Sequence, residues 1–243
     1  MINYQGNPAI SVKLLLTLSS FLILSSAIFG QKISGRIFSE QTKEPIPFAN
    51  VYFDNSLNGT VSDVDGYFEL DISSNPGQEI IVSSVGYEIY LLKDYISEKS
   101  YNIYLKDKVT MLGEVEISYD DGLTRKQKMR VFKREFFGNT KNAQSCIIEN
   151  EDDLRLVYSD SDKSYRAFCD VPIVIINRNL GYKILYDLVE FISIDQQRLS
   201  YKGYSQFEQD SIPKTDLKRI KKRRERTYRG SRLEFFRLLW DKK

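Results

Sequence analysis

From Lys32 to Lys106 the chain consists of short β-branched and aromatic runs separated by turn residues, with no helical period between them. The runs are KISGRIFS, PFANVYF, YFELDIS, EIIVSSVGY and SYNIYL, and TKEP, NSLNG, DVDG and SNPG lie between them. Runs this short, at this spacing and with this turn chemistry, pack as a sandwich of two sheets. Phe68 and Leu70 alternate with Tyr67 and Glu69, so one face of their strand points inward. Asp65-Gly66 is a strong hairpin signal, and Gly59 and Gly66 both suit positive-φ positions. Residues 31–107 are therefore expected to form a small all-β sandwich.

The residues that punctuate this region are Gly35, Pro45, Ala49, Gly59, Asp63, Gly66, Phe68, Gly86 and Tyr87. They stand in the runs GRIFSEQTKEPIPFANVYF, NGTVSDVDGYFELDI and IIVSSVGYE, which resemble the carboxypeptidase-regulatory-like domain. The resemblance implies a transthyretin-like Greek-key sandwich that serves as an accessory module without a peptidase site. Asp63 and Asp65 open a DxDG run like the start of a calcium loop. Ser74 stands where an EF-hand needs its distal Glu, so the expectation is a turn.

Ahead of the sandwich, Lys13 precedes an uncharged apolar stretch from Leu14 to Leu24, followed by small residues up to Gly30. This pattern fits a signal peptide over residues 1–30, and the stretch is short for a span of about 20 residues. After the sandwich, residues 108–122 are expected to be a linker. Its VTMLGEVEI run (109–117) resembles the connector of TonB-dependent outer-membrane transporters. Only 126 of the 243 residues follow Ile117, fewer than the roughly 200 that a 22-stranded barrel needs, so no transporter is expected.

Residues 123–243 are expected to fold as an α+β domain ending in a basic helical segment. Thr124 to Phe137 reads as a helix, with Met129, Phe132 and Phe136 on one side and Gly138 at its end. SCIIE, DLRLVYS, SYRAFC, VPIVII, YKILYDLVEFI and RLSYKGY then read as strands, with a turn at Asp160–Lys163. Pro213 opens a helix running to about Arg229, Gly230 breaks it, and Ser231 with Glu234 caps a last helix ending at Trp240. Phe235, Phe236, Leu239 and Trp240 are expected to dock on the sheet; left exposed, they would mark a partner site. This region resembles the C-terminal part of a group of exported proteins that carry such a sandwich, through FKREFFGNTKNAQSC, NRNLGYKILYDLVEF, LSYKGYSQFE and TYRGSRLEFFRLL. The resemblance implies an architecture and no mechanism.

The chain has no histidine and two cysteines, which excludes Ser-His-Asp and Cys-His catalysis, HExxH sites and zinc fingers. No cofactor and no metal site is expected. Cys146 and Cys169 could pair in an oxidising compartment, closing a loop worth about 3 kcal/mol, or could be buried thiols in neighbouring strands. Carboxylates at Glu149, Glu151, Asp152, Asp153, Asp160 and Asp162 fall in expected loops, where solvation alone accounts for them. Ser211 and Lys214 spell SxxK without its companion motifs.

The overall charge of +2 conceals a division. Residues 214–243 hold 13 Lys and Arg against 4 Asp and Glu, whereas residues 31–213 hold 21 against 29. Lys218, Arg219, Lys221, Lys222, Arg223, Arg224 and Arg226 are candidate contacts to an anionic surface, and equally a tail that docks electrostatically on its own acidic body. Export argues against nucleic acid as the partner. The expected function is a non-enzymatic cell-envelope protein of a Gram-negative bacterium, in the periplasm or at the outer membrane, that binds or assembles with an envelope protein or glycan. The alternatives are a carboxylate-dependent enzyme on envelope glycans, and a peripheral membrane adaptor using the basic helix.

Overall fold

The structure is a computed structural model that describes residues 31–108, 122–195, 197–210 and 216–240. The signal-peptide reading, the VTMLGEVEI connector, the Ser211/Lys214 pair and the helix start at Pro213 fall outside those residues.

The first module has two facing sheets. One is ordered β4 (Tyr67–Asp71), β1 (Lys32–Ser39), β7 (Ser100–Leu105). The other is ordered β3 (Gly59–Val61), β2 (Asn50–Phe53), β5 (Ile80–Ser83), β6 (Tyr90–Leu92). β1 runs parallel to β7, with Ile37 opposite Ile103, and antiparallel to β4. Alternation builds the core. Ile33, Ile37, Phe68 and Leu70 from one sheet meet Val51, Phe53, Ile80 and Val82 from the other. Phe68 and Leu70 are buried while Tyr67 and Glu69 are exposed, as their alternation requires.

Two expectations about the turns need correction. β3 and β4 belong to different sheets, so Asp65-Gly66 crosses between sheets and closes no hairpin. The crossing is held by Ile37 N–H, which donates to the Gly66 carbonyl at 2.9 Å, and Gly66 has φ +73°. Asp63 Oδ1 accepts from the N–H groups of Asp65 and Tyr67 at 2.9 and 2.8 Å, the side-chain turn expected of it. Gly59 lacks a positive φ and lies in a strand. Its missing side chain serves close packing: a Cβ there would sit 2.6 Å from Gln206 Nε2 and 2.8 Å from Tyr52 Cβ.

The second module begins with α1 (Arg125–Phe137), whose N-terminus is closed by a reciprocal box between Thr124 and Gln127. A short α2 (Lys141–Gln144) follows. Six strands then form one antiparallel sheet: β8 (Cys146–Ile148), β9 (Arg155–Ser159), β10 (Ser164–Phe168), β11 (Ile173–Asn177), β12 (Tyr182–Ile194) and β13 (Arg198–Gln209). β12 organises it. β13 pairs along the whole of one edge, with a register shift between Leu188 and Glu190. The other edge is divided, Tyr182–Tyr186 pairing with β11 and Ile192–Ile194 with β10. β9 and β10 form the hairpin expected around Asp160–Lys163.

α1 covers this sheet with aromatic side chains. Phe132 is buried edge-on against Phe191, with centroids 4.8 Å apart. Phe136 stacks on Phe132 and meets Tyr186 and Tyr201 at 5.1 and 5.6 Å. The chain continues through α3 (Leu217–Tyr228) and α4 (Arg232–Trp240). The docking expected of α4 does not occur: Phe235, Phe236 and Leu239 are exposed, and the side chain of Trp240 is outside the described residues. Among the described residues no helix is long and apolar enough to cross a membrane.

Candidate functional site

The two modules meet along a seam made by β13 and the loop after β2. β12 takes one edge of β13, and residues 54–56 take part of the other. Asn55 N–H donates to the Ser205 carbonyl, and Phe207 N–H to the Ser56 carbonyl, each at 2.8 Å. Ser205 N–H donates to Asp54 Oδ1 at 2.7 Å, and its hydroxyl to Asn55 Oδ1 at 3.0 Å. Asn55 adopts φ +55°, a conformation that asparagine tolerates better than most residues. The loop acts as a short added strand and satisfies an edge that would otherwise be open. The bare Gly59 lets Gln206 settle on β3 beside it.

Behind this seam lies a buried polar pair. β2 and β5 are largely buried on both faces, and their outer residues Tyr52 and Ile81 are buried although they lie outside the sandwich core. The Tyr52 hydroxyl crosses the seam to donate to Asp187 Oδ2 at 2.6 Å. Burial holds the carboxyl of Asp187 above the ordinary carboxylate range, although the hydrogen bond from Tyr52 opposes that shift. Burial, and next the charge of Asp187, push the phenol of Tyr52 upward. Ser83 Oγ is buried beside the pair, near enough to influence both groups, without a hydrogen bond of acceptable geometry.

Two hollows flank the seam. The smaller, about 230 Å³, is lined by Asn50, Ser83, Asp187 and, at its mouth, Lys108 and Asp170. Its two carboxylates are both engaged: Asp187 by Tyr52, and the half-exposed Asp170 by Arg155 at 3.2 Å and Lys108 at 3.6 Å. The larger, about 790 Å³, is an open cleft between sandwich loops, the end of the β12–β13 hairpin and α4. Amides form one wall. Asn58 Nδ2 donates to Asn75 Oδ1 at 3.0 Å, and Asn75 Nδ2 to Gln78 Oε1 at 3.1 Å. Rings form the other, Tyr182 and Phe207 meeting edge to face at 5.4 Å. Leu233 and Arg237 reach the cleft from α4.

The basic helix divides into two groups. Arg223 Nη1 donates to the Asn179 carbonyl at 3.1 Å. Arg224 donates to the Leu180 and Gly181 carbonyls at 2.7 and 2.8 Å and lies 3.8 Å over the Tyr182 ring. With the buried Ile220 these fasten α3 to the β11–β12 turn. Lys218, Arg219, Lys221, Lys222 and Arg226 are exposed. Among the described residues the tail meets its own body through carbonyl oxygens and a ring, and the ion pairs of Arg219 with Asp216 and Arg229 with Glu225 are local.

Cys146 and Cys169 are free thiols. Each donates to a different carbonyl, Asn142 at 3.4 Å and Asp153 at 3.7 Å, and burial raises both above the ordinary thiol value. β8, which carries Cys146, and β10, after whose last residue Cys169 stands, are not neighbouring strands. The acidic clusters are engaged separately: Glu151 pairs with Lys133 of α1, whereas Asp160 with Lys163, and Asp162 with Ser164 and Arg166, make local turn contacts. Among the described residues no group of three or more Cys, Asp or Glu is arranged to hold a metal ion. Sequence reading passed over Tyr52, Asp187 and the Asp54–Ser205 contact. The available signal was Asp187 itself, a lone acid within the apolar run ILYDLV.

Comparison with known proteins agrees with the sandwich. A TonB-dependent receptor, SusC of Bacteroides thetaiotaomicron, is 36% identical over 106 residues, which is 43% of this chain and 10% of the receptor. The chain thus spans about a tenth of that relative's length. Among solved structures, a 9R-lipoxygenase from Cyanothece PCC8801 aligns over 31% of this chain and 16% of its own, at 19% identity and a TM-score of 0.24, too low to bear on the fold. The profile of the CarboxypepD_reg-like domain matches residues 33–117, and the two-sheet sandwich found there has that domain's architecture: this part of the chain is a carboxypeptidase-regulatory-like domain.

Proposed function

We propose that this chain is an exported, non-enzymatic protein of a Gram-negative cell envelope, with a binding role through its carboxypeptidase-regulatory-like domain. The likeness of that domain to part of a TonB-dependent receptor supports an address in the envelope, in the periplasm or at the outer membrane. Lys13 and the apolar run behind it support export. The chain has no imidazole, and both thiols hold their protons more tightly than usual, which leaves nucleophilic catalysis little to work with.

The observation that carries the binding role is the larger cleft. Amides of Asn58, Asn75 and Gln78 face the rings of Tyr182 and Phe207, an arrangement that offers hydrogen bonds to hydroxyls and apolar faces to a sugar ring. An envelope glycan is the ligand of that chemistry. Calorimetric titration with soluble glycan fragments released from Gram-negative envelopes tests it. Saturable binding is expected, weakened about fivefold or more in Phe207→Ala through loss of the ring and in Asn75→Ala through loss of the amide relay. Absence of heat with every fragment, or affinities unchanged in both variants, contradicts the reading.

A further inference from the structure

α4 is a nine-residue helix whose described large apolar side chains are exposed. Leu233, Phe235, Phe236, Leu238 and Leu239 are each between 50% and 62% exposed. A surface helix normally turns such residues to its own core, and a contiguous exposed set marks a contact made elsewhere. The orientation follows from the 100° turn per residue. Leu233 and Arg237 sit one turn apart and face the cleft, so Phe235, Leu238 and Leu239 occupy the opposite side.

α3 has a matching division. Ile220, Arg223 and Arg224 face the body, which leaves Lys218, Lys222 and Arg226, spaced i, i+4, i+8, as an outward stripe flanked by Arg219 and Lys221. From Leu217 to Trp240 there are ten Lys and Arg against two Glu. Gly230, at φ +75°, joins the two helices, and Arg237 of α4 lies 5.6 Å from the Tyr228 ring of α3, so the two helices are held close together.

We propose that α3 and α4 form a docking surface for an anionic lipid bilayer. Lys218, Lys222 and Arg226 meet headgroup phosphates, while Phe235, Leu238 and Leu239 enter the boundary between headgroups and acyl chains. Basic residues beside exposed Phe and Leu are the composition of helices that lie in that plane. A second copy of the chain suits the surface poorly, because a two-fold contact would bring two strongly positive patches together. A nucleic acid would use the cations and leave the phenylalanines without a partner. The inference stands apart from the cleft and its ligand.

The test is co-sedimentation of the full chain with vesicles of phosphatidylcholine alone or mixed with phosphatidylglycerol, at low and high salt. Leu14–Leu24 is itself apolar and would partition without regard to lipid charge, so the readout is the difference between lipids and between variants. Binding to the anionic vesicles is expected to exceed binding to neutral ones by about tenfold or more and to fall with salt. The triple change Lys218→Glu, Lys222→Glu, Arg226→Glu should abolish that excess. Phe235→Ser with Leu239→Ser should reduce it by about fivefold or more, with an unchanged circular dichroism spectrum. The proposal is overturned by equal binding to both lipids at low salt, by variants indistinguishable from wild type, by a dimer that Phe235→Ser dissolves, or by a nucleic-acid duplex that displaces the vesicles.

Discussion

The Tyr52 hydroxyl donates to Asp187 at 2.6 Å across 135 residues of sequence, and it does so from the outer face of the sandwich into the neighbouring sheet. An outer sheet face would ordinarily carry polar residues. Here Tyr52 and Ile81 are buried, and Tyr52 meets β12 through Asp187. The consequence is mechanical: the carboxypeptidase-regulatory-like domain and the second module share one boundary, closed by a part-buried hydrogen bond and a short added strand.

Tyr52→Phe removes the donor and leaves a mostly buried carboxyl without its partner. Hydrogen bonds to such groups contribute about 1–3 kcal/mol, so the variant should unfold at a correspondingly lower urea concentration. An unchanged midpoint would mean that water replaces the phenol at no cost.

Asp187 also sets a pH dependence. Its carboxyl is held above the ordinary value, chiefly by burial, so the folded chain binds this proton more tightly than the unfolded chain does. The resulting stabilisation is complete below the unfolded value of about 3.9 and is lost as pH rises through the folded value. Asp187→Asn keeps an acceptor for Tyr52 and removes the titration. Its stability relative to wild type should therefore climb as pH rises above about 4. A relative stability that falls with pH would contradict the burial argument.

Gly59→Ala places a Cβ within 2.6 Å of the Gln206 amide and 2.8 Å of Tyr52. The neighbours are the Gln206 side chain at the seam and the Cβ of the buried Tyr52, so the strain falls on the junction. A loss of about 1–3 kcal/mol is expected, together with faster proteolysis after β13. Wild-type behaviour in both assays would show that Gln206 swings aside freely.

Arg224 fastens α3 through two carbonyls and a ring, contacts that use a flat fork. Arg224→Lys keeps the charge and loses the fork. Protease protection of residues 217–228 should drop in this variant nearly as far as in Arg224→Ala, while added salt should change the wild type little. Full rescue by lysine, or strong loosening by salt, would restore the ion-pair picture.

β1 and β7 were legible to the residue, because each carries its own alternating pattern over six or more positions. β3 and β6 were not, at three residues apiece, since strands that short owe their shape to their neighbours. Gly66 could be read from its turn, whereas Gly59 could not, because what it makes room for comes from Gln206 in the other module. The same limit explains the seam: Asp54, Asn55 and Ser205 are ordinary polar residues until the fold joins them. In α4, the apolar pattern announced a buried face, whereas Phe235, Phe236 and Leu239 are exposed.

The central claim, that the junction of the two modules presents a ligand cleft, is tested most directly by hydrogen–deuterium exchange with and without soluble envelope glycan fragments. Slower exchange is expected at residues 54–58 and 74–78, the two sandwich loops that wall the cleft, with the far edge at β9 unaffected. Slowing confined to the rest of the chain, or none at a saturating concentration of fragments, would contradict it.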